Sequence, residues 1–173
     1  MAKTYNRIAR EVHPVGHIFI GYGVLPLASY AEVEDALARN RPTASPPRSD
    51  CVYMKEDLDF SSVGVDYGKG YVHTVEPEGD VERRDIYWVG VLVKRYAKSW
   101  MMRKDIEPHL SDDEVAKRYW GGAASPSPTW EFVAKEATVV GVNPTLVLVR
   151  PGGDLERALD AALTEKDLPS SGA

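Results

Sequence analysis

Apolar residues in this chain come in short runs, each cut off by glycine, proline or acidic residues after a handful of positions. That pattern makes short strands, because a strand needs only a few alternating or continuous apolar residues, whereas a helix needs a longer 3.6-residue period. Strands are expected at Val15 to Ile20, Cys51 to Lys55, Tyr71 to Val75 and Ile86 to Val93. Three more are expected late, at Thr129 to Ala134, Ala137 to Val142 and Thr145 to Val149. Helical signals are fewer. Ser29-Tyr30-Ala31-Glu32 and Ser111-Asp112-Asp113-Glu114 both have capping-box form, in which each side chain satisfies a free backbone donor. The first predicts a helix to about Arg39 with Val33 and Leu37 inward. The second predicts one with Val115 and Tyr119 on one face and Gly121 at its end. A last amphipathic helix is expected at Asp154 to Leu163. Many short strands with few helices predict the α+β class: a bent, split β-core of short strands with a few peripheral helices.

The length of 173 residues suits one domain with its own core. The first ~14 and last ~6 residues are read as peripheral or disordered. A hydrophobic content of 43% lets that core form without disulfides. Cys51 is the single cysteine, so cysteine zinc sites are excluded, and its apolar neighbours Val52 and Met54 suit a buried thiol better than a nucleophile. A net charge of −5 argues against a nucleic-acid binder that uses its whole surface, while leaving room for a local basic patch. The opening residues lack an apolar stretch of signal-peptide length, and no run approaches the ~20 apolar residues of a bilayer span. A cytoplasmic protein with no membrane partner is expected.

Phosphate-loop, dinucleotide, zinc-protease and serine-hydrolase signatures are all missing. His13 and His17 are four apart, but Pro14 and Gly16 break the helical face a metal pair would need, so no metal is expected. Loop residues 40–50 hold three prolines and two arginines and should lie at the surface, as an ordered ligand loop or a mobile one. Lys94 to Lys104 mixes cations with aromatics. Such a stretch can attract phosphates and stack on bases, but it reads first as a solvated helix or loop whose aromatics belong to the core. In Thr129 to Val133, strand alternation sends Trp130 and Phe132 to one face and Glu131 and Val133 to the other. Glu131 then lies either on a solvent face, which spacing alone favours, or in a cleft where it could stabilise positive charge on a reacting sugar.

The order of segments carries a further signal. An early strand ending in a small-residue turn is followed by a helix and an arginine-containing loop. Arg48-Ser49-Asp50-Cys51-Val52-Tyr53-Met54 and Gly70-Tyr71-Val72-His73-Thr74-Val75-Glu76-Pro77 come next, and Tyr119-Trp120-Gly121-Gly122 precedes Trp130-Glu131. Over residues 15–142 this resembles the ADP-ribosyltransferase fold, and its middle portion is similar to the small rifampin-modifying members. The resemblance implies a cleft that takes NAD as substrate and transfers ADP-ribose to an acceptor: a protein, a nucleic acid or a small molecule. It implies Glu131 as the acid stabilising an oxocarbenium-like transition state, Tyr53 as the wall on the nicotinamide, and His17 or Gly21 as carboxamide-side contacts. Further NAD contacts are implied for Tyr22, Arg48, Ser49 and Tyr71. Ile20 stands where the family carries a polar NAD-binding side chain. An NAD glycohydrolase is chemically adjacent, and a non-catalytic module on the same fold, contacting a protein or nucleic acid, is the alternative.

Overall fold

The computed structural model describes residues 2–9, 11–21, 31–58 and 70–147. In chain order these form β1 (Tyr5–Ala9), β2 (Ile18–Ile20), α1 (Ala31–Arg39), β3 (Val52–Met54), β4 (Gly70–Glu78) and β5 (Glu82–Asp85). After these come α2 (Tyr87–Arg95), α3 (Asp112–Trp120), β6 (Trp130–Ala134) and β7 (Glu136–Val147), with 3-10 turns at Arg48–Asp50 and Trp100–Met102. The fold is α+β with a divided β-core. One antiparallel sheet has the order β1-β4-β7-β2 and the other β3-β6-β5. Two register shifts between β4 and β7, at Tyr71/His73 and Thr74/Val75, are the irregularities that bend a paired strand. The sheets are stitched together where Asn6 and Lys55 exchange backbone hydrogen bonds of 2.7 and 2.8 Å.

Alternation on β3 and β6 gives the smaller sheet two different faces. Val52, Met54, Phe132 and Ala134 pack with Tyr5, Phe19, Val75 and Val139 in a core between the sheets. On the other side α1, α2 and α3 build a second core from Val33, Leu37, Trp88, Leu92, Val115 and Tyr119. Val33, Ala36 and Leu37, the buried residues of α1, sit at the i, i+3, i+4 spacing of one helical face.

Within the first ~14 residues, Tyr5–Ala9 are not peripheral. β1 pairs with β4 along its whole length, from Tyr5↔Val75 to Ala9↔Tyr71, and buries Tyr5 and Ala9. Nor is Ile86 to Val93 a strand: it forms most of α2. The apolar run is short enough to suit either state, and burial on nearly all sides removes the periodicity that would separate them. At its start Asp85 Oδ1 accepts the Tyr87 N–H at 3.0 Å, and Lys94 and Arg95 sit at the far, negative end of the helix dipole, both of which favour the helix. Ala137 to Val142 and the start of the next expected strand run on as the single strand β7. The first expected strand shortens to Ile18–Ile20, because Val15 and Gly16 turn and Gly16 takes φ +93°. Ser29, the remainder of the Thr145 to Val149 strand and the helix expected at Asp154 to Leu163 lie outside the described residues.

The second capping box forms as expected. Ser111 Oγ accepts the Glu114 N–H at 3.1 Å, and Glu114 Oε2 accepts the Ser111 N–H at 2.7 Å. α3 ends at Gly121, but the left-handed conformation falls on Gly122, with φ +68°. A Cβ there would lie 2.8 Å from the Arg83 carbonyl oxygen. Gly122→Ala is expected to lower unfolding free energy by more than about 1 kcal/mol, read from urea denaturation midpoints at constant m.

Candidate functional site

A polar cluster lies between the smaller sheet and α3. Glu131 on β6 pairs directly with Arg84 on β5, and Tyr53 on β3 pairs with Val133, two residues along the same face. The surface reading of Glu131 therefore fails, since its side chain points toward the helices and is only 9% exposed. Tyr119, from the inner face of α3, donates its hydroxyl to Glu131 Oε2 at 3.2 Å. Tyr53 donates its hydroxyl to the Arg48 carbonyl oxygen at 2.8 Å, which ties β3 to the 3-10 turn. Arg48 reaches from that turn to Glu34 of α1 at 3.1 Å.

Arg84 is 1% exposed, ion-paired to Glu82, and has its guanidinium over the Trp120 ring at 4.4 Å and the Tyr119 ring at 5.4 Å. Three guanidinium nitrogens of this cluster, Arg48 Nε and Arg84 Nε and Nη1, are buried without a hydrogen-bond acceptor. Ring faces offset part of that loss for Arg84.

Burial pushes the Glu131 carboxyl above its ordinary range. The Arg48 guanidinium, the Tyr119 hydroxyl, Arg84 and Lys55 pull the other way. Burial likewise raises the Tyr119 phenol, and the Glu131 charge beside it raises it further, so Tyr119 serves as a proton-bearing donor. Tyr53 is raised by burial as well. Burial lifts the Cys51 thiol, which keeps it protonated and unreactive, as its apolar neighbours suggest.

The residues nominated by sequence fall in three places. Glu131, Tyr53 and Arg48 come together in this cluster. Gly21 lies across the 3-10 turn from it, so close that a Cβ would sit 2.1 Å from the Asp50 carbonyl carbon. There it lines a cavity of about 530 Å³ with Ile20, Arg41, Ser45, Pro47 and Lys135, a volume within the range of small-molecule sites. The proline-containing loop 40–50 thus forms a wall between the two, with Arg48 on one side and Pro47 and Asp50 on the other. Tyr22 lies outside the described residues, and of Ser49 only the backbone is described, within the turn.

His17 and Tyr71 belong to the larger sheet instead. The His17 ring stacks on His13 at 4.1 Å and meets Phe19 edge-on at 4.9 Å. Tyr71 offers its carbonyl oxygen to His73 Nδ1 at 3.1 Å, and His73 Nε2 accepts the His13 N–H at 2.9 Å. This pair of bonds requires the neutral His73 tautomer with its proton on Nδ1. Burial lowers the affinity of both His13 and His73 for a proton. In the unfolded chain they would protonate near pH 6.5, so the folded state loses stability as pH falls from about 6.5 through their lowered values. A thermal melt at pH 5.5 should therefore lie below one at pH 7.5, and His73→Gln should shrink the difference.

Sequence reasoning missed Arg84 and the role of the Tyr119 hydroxyl. Glu82-Arg83-Arg84-Asp85 has no apolar alternation, and only its pairing with β6 brings Arg84 beneath Trp120. Tyr119 was visible as a helix-face residue, but its acceptor lies on another element.

Among the described residues no group of three or more His, Cys, Asp or Glu side chains could hold a metal ion, and no helix is long and apolar enough to cross a membrane. No family model, curated protein or solved structure matches the chain.

Proposed function

We propose that this protein binds NAD and breaks its bond between nicotinamide and ribose, passing ADP-ribose to an acceptor in the cytoplasm. In that reaction the electrons of the C1′–N bond leave with nicotinamide, positive charge spreads over C1′ and the ring oxygen, and a nucleophile adds at C1′ and gives up its proton. The group that lowers this barrier is a fixed negative charge beside the ribose, in a setting too dry for water to screen it. Glu131 is that group. The observation that carries the reading is its environment: a buried carboxylate held by Tyr119, next to Tyr53 and to the guanidinium of Arg48. Glu131 shares one cluster with Tyr53 and Arg48, which come from a single motif some eighty residues earlier, and all three are nominated by the resemblance. The cavity beside Ile20 and Gly21 is large enough to hold part of a dinucleotide across the turn from it.

The test is release of nicotinamide from NAD by the wild-type protein, followed by chromatography, alongside a thermal shift with NAD. Ligand at about 100-fold over its dissociation constant stabilises by about 2.7 kcal/mol. Release with a shift supports the reading; neither at millimolar NAD overturns it.

Ile20 favours a second reading, that of a non-catalytic module. It is 53% exposed and lines the cavity where a polar NAD contact is expected. No nicotinamide release and no thermal shift with NAD, nicotinamide or ADP-ribose at millimolar concentrations selects this reading.

A further inference from the structure

Among the described residues the two most exposed large apolar side chains are neighbours: Trp100 at 78% and Met101 at 77%. They sit on the 3-10 turn Trp100–Met102, inside the stretch 94–104, which carries five cations and no acid in a chain whose net charge is −5. The expectation that the aromatics here belong to the core holds for Tyr96, which packs against the helical core and donates its hydroxyl to Asp112. For Trp100 it fails.

The projection is built, not frayed. Met102, next in the chain, turns inward onto the helical core, and Ala97 is buried in it. The loop is closed at its base where the Lys104 N–H donates to the Lys94 carbonyl oxygen at 3.0 Å, the last turn of α2 holding the returning segment of the loop. Arg103 Nε donates to the Ala97 carbonyl oxygen at 2.7 Å, and the Met102 N–H to that of Ser99 at 2.9 Å. Arg95 is engaged elsewhere, with Asp105 and Asp112 at 2.9 and 2.8 Å. Lys98, Arg103 and Lys104 remain exposed, one before the indole and two after it. A loop held by these contacts thus presents an indole and a thioether with cations on both sides.

We infer that this loop is a docking surface for single-stranded nucleic acid, with an unpaired base stacked on Trp100 and the flanking phosphates met by Lys98, Arg103 and Lys104. Base stacking needs an open aromatic face, and the cations flanking it suit the phosphates on either side of a stacked base. Met101 adds a soft, polarizable contact at the edge of the same platform. A duplex would hide the base faces from Trp100. An anionic bilayer is the poorer match, because its surface would feel the whole acidic protein, whereas a flexible strand can touch the local patch alone, and because two side chains form a small apolar anchor. The surface stands on residues separate from the Glu131 cluster and does not depend on the chemistry proposed there.

The experiment is fluorescence anisotropy of a fluorescein-labelled single-stranded oligouridylate titrated with the protein at low salt, and again at increasing salt. Binding is expected, weakening with salt. Trp100→Ala should lower the affinity roughly ten-fold, within the range for loss of one stacking platform, while its melting temperature stays at the wild-type value because the side chain is exposed. Lys98→Gln combined with Lys104→Gln should flatten the salt dependence, by about 0.7 in slope for each phosphate no longer neutralised. No binding at low salt, equal binding by Trp100→Ala, or preference for the duplex would overturn the inference. So would capture by phosphatidylserine vesicles with no binding to the oligonucleotide, which would reassign the loop to membranes.

Discussion

Replacing Glu131 with Gln is expected to slow nicotinamide release by about 10²–10³-fold, the usual loss when a preorganised charge contact is removed from a reacting centre. The change keeps the shape of the side chain and an acceptor oxygen for the Tyr119 hydroxyl, 3.2 Å away. It removes the negative charge that the cationic transition state needs, so turnover should fall while NAD binding in the ground state falls much less. Nicotinamide release and a thermal shift with NAD, measured on the same two proteins, separate these effects. Fold stability provides the internal control. The wild-type carboxylate is costly to bury, so the neutral amide relieves part of that cost but takes one of two nearby negative charges from Arg48 and Arg84, which keep their pairs with Glu34 and Glu82. Wild-type turnover in the Glu131→Gln protein would reduce Glu131 to a residue that only holds the sheet to α3.

Tyr119→Phe tests the same cluster from the other side. It deletes one hydroxyl and leaves the ring, over which Arg48 and Arg84 lie at 5.9 and 5.4 Å. Glu131 then loses a donor that favours its ionised form. Nicotinamide release by this variant should therefore require a higher pH than release by the wild type, a shift that a pH–rate profile reads directly.

Particular residues show how far the sequence could be read. The Glu131 strand was legible because alternation on Trp130, Phe132 and Val133 is a local property, and both its extent and the two faces follow from period two. The second capping box was legible for the same reason: Ser111 and Glu114 satisfy each other within four residues. Whether Glu131 faced water was not legible. That depends on α3 lying over the sheet, and spacing within a strand carries no information about what covers it. β1 was hidden because Tyr5-Asn6-Arg7-Ile8-Ala9 is short and half polar, and its burial comes from pairing with a strand more than sixty residues away. Arg7 illustrates the difficulty: a cation near the chain start reads as solvated, yet it is 7% exposed, donating to the Tyr53 carbonyl oxygen at 2.9 Å with its guanidinium over Phe19. The nominated ligands scattered for a related reason. The order of segments put His17 and Glu131 in one expected site, but the turn at Val15 and Gly16 precedes His17, and its ring packs on His13 and Phe19, on the larger sheet's side.

Asp85 should give the largest loss of stability of any single residue here. Its carboxylate is fully buried and accepts three backbone N–H groups: Tyr87 at 3.0 Å and Thr129 at 2.9 Å through Oδ1, and Ser125 at 2.8 Å through Oδ2. Those donors belong to the start of α2, the loop after α3 and the residue before β6, so one side chain fixes the junction of three segments. It also sits beside the positive end of the α2 dipole. Asp85→Ala strips all three donors of their acceptor at once, in a place water does not reach. Each hydrogen bond to a charged group contributes about 1.5–3 kcal/mol, and the effects of neighbours are not additive, so a loss of roughly 3–5 kcal/mol is expected. Asp85→Asn keeps the shape and one acceptor oxygen but turns an NH₂ group toward backbone donors, so its loss should be nearly as large. Urea denaturation followed by circular dichroism gives both values. A loss under about 1 kcal/mol for Asp85→Ala would mean that α2 starts without its carboxylate, and that the apolar run from Trp88 to Val93 alone selects the helix.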